Sequence, residues 1–134
     1  MQDSLTFDSE PIVAFFFGEI GAKPVIGLLE KVQNNQVQGY INIVNLTEVY
    51  YAIARQDTKT ADAKLNVLRG YGLKVVPVED NGLWREVALI KNKYGLSLGD
   101  CFAVATAQAL KSKLVVGGDK ELNNLNISLL KIKK

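Results

Sequence analysis

Between Cys101 and Leu110 the chain carries only two polar side chains, Thr106 and Gln108. A helix that is apolar on nearly every side must be covered on nearly every side, so this stretch belongs at the centre of the fold. Yet the segment that leads into it, Leu96-Ser97-Leu98-Gly99-Asp100, ends in a carboxylate. A charge at the mouth of a buried helix is costly unless something pairs with it. A cap, a cation or a bound metal ion would each answer, and the rest of the chain has to decide between them.

Around that helix the sequence alternates between strands and helices. Leu5-Thr6-Phe7 reads as a strand closed by Asp8. Ser9-Glu10-Pro11 then places a proline in the first turn of a helix over residues 12–17, which Gly18 and Gly21 break. Pro24 opens an amphipathic helix with Val25, Leu28, Leu29 and Val32 at helical spacing, ended by Asn34-Asn35. Residues 39–44 form a second strand, and Asn45 is expected to end it and to cap a helix over 46–55. A turn at 56–59 leads to a helix over 60–68. Residues 73–78 are a third strand, placed at an edge by Pro77. A helix over 80–94 follows, with Leu83, Val87, Ile90 and Trp84 expected inward and Gly95 as its stop. After the central helix come a strand at Leu114-Val115-Val116, a turn at Gly117-Gly118, a brief helix to Leu125 capped by Asp119, and a last strand over 127–132. Strands separated by helices, with continuous apolar runs, predict a parallel sheet covered on both faces. At 134 residues the chain suits one domain, 1–134.

Composition narrows the chemistry. The chain has no histidine, which removes Ser-His-Asp and Cys-His catalysis and most zinc sites. Its one cysteine, Cys101, excludes an internal disulfide and reads as a small buried hydrophobe in a reducing compartment. The net charge of +2 announces no strong nucleic-acid stripe. No run reaches membrane-spanning length and the start lacks a signal-peptide pattern, so a soluble cytoplasmic protein is expected.

What remains is carboxylates. Asp8, Glu48, Asp100 and Asp119 each stand at a strand-to-helix junction or in a first helical turn. Each has a plain explanation: Asp8 and Asp119 as N-caps, Glu48 three residues after Asn45 and Asp100 three after Ser97 as capping boxes. Together the caps explain less. In a parallel sheet the carboxyl ends of the strands share one edge, where ligands bind. Asp8, Glu48 and Asp119 follow the first, second and fourth strands there. Asp100 joins them if its helix points its N-terminus the same way. Lys120 is the one neighbouring cation in sequence, and converging carboxylates without a counter-charge repel. Oxygen-only ligands suit Mg²⁺ or Mn²⁺, and the matching chemistry is metal-assisted phosphodiester hydrolysis.

The chain resembles the PIN-domain family, of the kind found as the VapC toxin in VapBC toxin–antitoxin pairs. The resemblance rests on Leu5-Thr6-Phe7-Asp8-Ser9, Asn45-Leu46-Thr47-Glu48-Val49, Leu96 to Ala105, and Leu114-Val115-Val116-Gly117-Gly118-Asp119-Lys120-Glu121-Leu122. It implies a three-layer α/β/α sandwich with a central, mainly parallel sheet of four to five strands. It also implies an Mg²⁺- or Mn²⁺-dependent endoribonuclease, a homodimer, an RNA substrate and a cognate antitoxin whose tail lies in a groove near the active site. Asp8 and Asp100 would hold the metal directly, with Glu48 and Asp119 completing the site and orienting the attacking water. Two positions depart from the family pattern. Gly117 stands where a Thr or Ser is usual, which removes a hydroxyl contact, and Cys101 replaces a usual alanine.

Ser9 and Glu121 are further candidates beside the first and last acids, although a first-turn serine and a dipole-favoured acid explain them equally. Arg55, two turns beyond Glu48, could meet an RNA phosphate or a partner carboxylate, but also suits solvent. Lys131, Lys133 and Lys134 form a small basic tail. Tyr50 and Tyr51 cannot point the same way, so one should lie on a surface suited to a protein partner. The rival readings are a PIN-like module that binds RNA or protein without cutting, an RNA-processing nuclease outside any toxin–antitoxin pair, and a receiver-type Mg²⁺-binding module. The last needs a phosphate-accepting aspartate after a central strand and a lysine after a late one. Here the strand at 73–78 runs into Pro77-Val78-Glu79-Asp80, and no lysine closes the last strand in the right setting.

Overall fold

A computed structural model describes residues 3–118 and 120–133. Five strands, β1 (Ser4–Phe7), β2 (Gln38–Asn42), β3 (Lys74–Val76), β4 (Lys113–Val116) and β5 (Leu129–Lys131), form one sheet in the order β3-β2-β1-β4-β5. Every pairing is parallel. In β1, Thr6 lies between Tyr40 of β2 and Leu114 of β4, and the Asp8 amide continues the ladder to the Val115 carbonyl at 3.0 Å. From β1 the chain steps outward to β2 and β3, then returns to the other side for β4 and β5. The β1/β4 seam is therefore the switch point of the sheet, the place at which open α/β sheets bind their ligands.

The helices are α1 (Ser9–Phe17), α2 (Ala22–Gln33), α3 (Ile43–Ala54), α4 (Thr58–Gly70), α5 (Leu83–Tyr94) and α6 (Leu98–Leu110), with a short 3-10 helix at Lys120–Asn124. Strand periodicity sorts the core into two halves. Leu5, Phe7, Ile41 and Val115 point to the face covered by α1 to α4, where they meet Ile12, Leu29, Val49 and Leu68. Leu114 and Val116 point to the other face, against Val87, Ile90, Cys101 and Val104 of α5 and α6. This is the expected three-layer arrangement with a five-stranded parallel sheet. The apolar run from Cys101 does lie across β2, β1 and β4, with residues from Cys101 to Ala107 buried save Phe102, which is half-buried. Thr106 is tolerated there because its hydroxyl donates to the Phe102 carbonyl and accepts from Asn42 Nδ2. Gln108 is exposed. Pro77 follows β3, which is an edge strand as expected.

Two local readings need correction. Strand β2 ends at Asn42, not Val44, and Asn42 caps α3 by accepting the Val44 amide at 2.8 Å. Asn45 is thus inside the first turn of α3 and wholly buried, not its cap. Trp84 is 51% exposed, because α5 starts only at Leu83 and turns Val87 and Ile90 inward. Its indole N–H donates to Asp80. Among the described residues no single helix is long and apolar enough to cross a membrane; α1 and α2 would pass only as a pair bent by 108°.

Candidate functional site

Three of the four sequence-predicted acids meet at the switch point; Asp119 lies outside the described residues. Asp8 leaves β1 in extended conformation and caps α1, its Oδ1 accepting the Ser9 amide at 2.8 Å. Asp100 sits in the first turn of α6, where Ser97 Oγ accepts its amide at 3.2 Å. Ser97 is thus the N-cap of α6, and the cap fixes where the Asp100 side chain leaves the helix. The carboxyls of Asp8 and Asp100 are close enough to share a hydrogen bond. Glu48, on the solvent-facing side of the first turns of α3, adds its charge from the third side.

The electrostatics follow from this geometry. Asp8 is 4% exposed. Burial, then the neighbouring Asp100 charge, push its carboxyl from 3.8 up to about 8, with Glu48 adding to the rise and the Ser9 amide opposing it. A carboxyl held this far up at neutral pH marks a site with more negative charge than its protein surroundings answer. Among the described residues no three acidic side chains already form a metal cage. The donor set nonetheless fits a hard divalent cation: carboxylate oxygens at a strand-end crevice, with charge to be neutralised and no nitrogen or sulfur donor.

Two residues that the sequence reading did not assign to the site complete it. Asn45 Nδ2 lies 3.1 Å from Glu48 Oε1, 3.0 Å from the Gly99 carbonyl and 3.4 Å from Asp8 Oδ1. Among the described residues, Asn45 Oδ1 is buried without a partner. The opposite flip would drive that oxygen against three others, so the acids set the orientation at a cost of roughly 1–3 kcal/mol for the orphaned carbonyl. Gly99 supplies the space: a Cβ there would stand 2.4 Å from Glu48 Oε2. The spacing from Asn45 to Glu48 was visible, but it suggested a cap rather than an amide donating to the carboxylate.

Gly117 tells a similar story. Its missing side chain removes the expected hydroxyl, but the space is filled: a Cβ on Gly117 would lie 2.3 Å from the carboxylate of Glu10. Lys133 holds Glu10 there at 2.9 Å, while its own amide donates to the Gly117 carbonyl at 2.8 Å. Of the remaining candidates, Ser9 gives Asp8 its backbone N–H, and Glu121 is exposed in the 3-10 helix. Arg55 caps the end of α3 at the surface, its guanidinium 5.6 Å from the ring centre of Tyr51. Tyr51 is the exposed tyrosine; Tyr50 packs against the core and donates to Asp62. Lys131 is exposed and bonds Asn123, whereas Lys134 lies outside the described residues. Cys101 is buried, and burial raises its thiol pKa.

A family model described as the PIN domain matches residues 5–127. No curated protein matches the sequence closely enough to count as a relative. Among solved structures, the chain is similar to one in a toxin–antitoxin complex from Klebsiella pneumoniae, at 16% identity and a TM-score of 0.76, covering 96% of this chain and 97% of that one. It is similar to one in VapBC2 from Rickettsia felis bound to a DNA fragment from their promoter, at 14% identity and a TM-score of 0.75, covering 96% and 98%. It also resembles one in VapBC-1 from nontypeable Haemophilus influenzae, at 15% identity and a TM-score of 0.69, again covering 96% and 98%. At these identities the likeness is one of fold.

Proposed function

The chain belongs to the PIN-domain family, and on that premise we propose that it is a metal-dependent endoribonuclease, the toxin of a VapBC-type toxin–antitoxin pair. The observation that carries the reading is the convergence of Asp8, Asp100 and Glu48 at the β1/β4 switch point, with the Asp8 carboxyl pushed up to about 8 by burial and by its acidic neighbours. Capping alone requires none of that crowding.

In this reading Asp8 and Asp100 hold Mg²⁺ or Mn²⁺ directly, and Asp119 completes the set. The cation supplies charge stabilisation at the transferring phosphorus. Asp8 is held by the Ser9 amide and Asp100 by the start of α6, so both oxygens are offered from rigid elements. Glu48 is the exposed acid, fixed over Gly99, and it accepts a hydrogen bond from the attacking water. Residues 1–134 act as one domain, since both halves of the core share the single sheet. An RNA substrate implies a cytoplasmic setting.

An antitoxin partner is supported by the toxin–antitoxin complexes among the solved relatives. On this chain a surface suited to it is the groove of about 420 Å³ between α1 and α3, lined by Val13, Phe17 and Arg55, with Tyr51 exposed alongside. A homodimer is the assembly that the family resemblance implies.

The test is cleavage of structured RNA with Mg²⁺ or Mn²⁺, comparing the wild type with Asp100→Asn. The wild type should cut only with metal, and Asp100→Asn should be slower by roughly 100-fold or more, the scale on which losing one charge-stabilising group slows an enzyme. Equal rates in the two proteins would remove the reading. Metal-dependent binding of RNA without cleavage would favour the non-cutting alternative.

A further inference from the structure

Asn45 is wholly buried, yet its side chain faces carboxylates rather than the apolar core of α3. Its amide nitrogen reaches oxygens on three separate elements: Asp8 at the end of β1, Glu48 on α3 and the Gly99 carbonyl at the start of α6. These are the elements that bring the acids together. Glu48 most needs the contact, because it is exposed to solvent. Besides the Asn45 amide, its carboxylate lies against Gly99, in space that a Cβ there would take. The orphaned Oδ1 is the second mark. Buried amides that serve the fold are in the large majority matched at both ends. This one leaves its acceptor unmatched so that its donors can face the acids.

We propose that Asn45 is a positioning residue of the acidic site. Its two amide hydrogens fix the Glu48 carboxylate against Asp8 and the α6 N-terminus, so that the carboxylates are set for a divalent cation before it arrives. The inference rests on the cation reading given above. It assigns Asn45 no contact with substrate: Asn45 acts through the ligands, as outer partners of metal-binding side chains do.

The test is titration of Mn²⁺ alone into the full chain, with wild type, Asn45→Leu and Asn45→Ser. Leucine keeps the volume and removes both donors. Serine is small and polar, so it serves if leucine does not fold by circular dichroism. Mn²⁺ should bind either variant at least about tenfold more weakly than the wild type. With RNA as substrate, the variants should be slowest at low Mn²⁺ and regain most of the wild-type rate as Mn²⁺ is raised, whereas a loss of folded protein would lower the rate by the same factor at every Mn²⁺ concentration. Wild-type Mn²⁺ affinity in the folded variants would overturn the inference while leaving the cation site standing. No saturable Mn²⁺ binding by the wild type would remove the cation reading, and this inference with it.

Discussion

Asn42 and Asn45 stand three residues apart at the junction of β2 and α3, both wholly buried, and they behave in opposite ways. Asn42 is matched at both ends: Oδ1 accepts the Val44 amide to cap α3, and Nδ2 donates to Thr106 on the central helix. Asn45 has a crowded donor end and, among the described residues, an unmatched acceptor end. A fully matched buried polar group fixes the fold, tying α3 to α6 across the sheet. A half-matched one, facing two carboxylates and a backbone carbonyl, reveals what it is turned towards. The contrast extends to the acids. Asp57 shows what a carboxylate does when it only caps: it is exposed, accepts the Lys59 and Thr60 amides, and has its pKa lowered. Asp8 caps as well, yet its pKa is raised. The difference between the two aspartates is burial first, and then the company of Asp100 and Glu48.

The strongest way to break this contrast is at Asp8. In Asp8→Asn the side-chain oxygen can still accept the Ser9 amide, so α1 keeps its cap while the buried charge disappears. RNA cleavage should fall by about 100-fold or more, and the metal-free protein should gain on the order of 1–3 kcal/mol at pH 8 by urea unfolding. The pH dependence has a definite sign. Because the folded-state pKa of Asp8 lies above 3.8, at about 8, the folded protein binds that proton more tightly than the unfolded chain. The Asp8 contribution is therefore fully present below about pH 4 and is lost as pH rises towards 8. The difference between wild type and Asp8→Asn should widen across that window. If the variant is less stable at pH 8, Asp8 is a plain cap.

Asn42→Ala should sharpen the scaffold side. Losing the cap and the bond to Thr106 should cost about 2–3 kcal/mol in thermal or urea unfolding. The folded fraction should bind Mn²⁺ as the wild type does. If instead its Mn²⁺ affinity fell along with its stability, the two asparagines would not be separable and the contrast would fail.

The smallest effect concerns the rim. Gly117→Ala forces a methyl group against the Glu10 carboxylate and should cost about 1–2 kcal/mol. Adding Glu10→Ala should restore most of that loss, because the side chain being struck is gone; a double-mutant cycle on unfolding free energies measures the coupling. Additive losses would mean that Glu10 moves aside freely and does not fill the place of the missing hydroxyl.

Much of this molecule was legible in its sequence because the signals were local. The apolar run after Cys101, the Ser97–Asp100 spacing, Gly95 as a helix stop and Pro77 beside an edge strand each report on a few neighbouring residues, and the structure contains each of them. The acids were legible as a set because a parallel sheet sends its strand ends to one edge, and Asp8, Glu48 and Asp100 meet there. The misreading at Asn45 was local too. Ile43-Val44 is β-branched and continues the strand pattern of Tyr40-Ile41, so the helix seemed to begin three residues late. Tertiary contact ended the strand sooner, when Asn42 found the Val44 amide and Thr106. The filling of Gly117 by Glu10, and the hold of Lys133 on Glu10, join residues far apart in the chain, and no spacing in the sequence could report them.

The measurement closest to the central claim is Mn²⁺ titration of the wild type and of Asp100→Asn, followed by calorimetry at neutral pH. The wild type should bind saturably with proton release as Asp8 ionises, and Asp100→Asn should bind at least about tenfold more weakly. Equal affinity in the two proteins, or no saturable binding by the wild type at millimolar Mn²⁺, would contradict a cation site built on these acids.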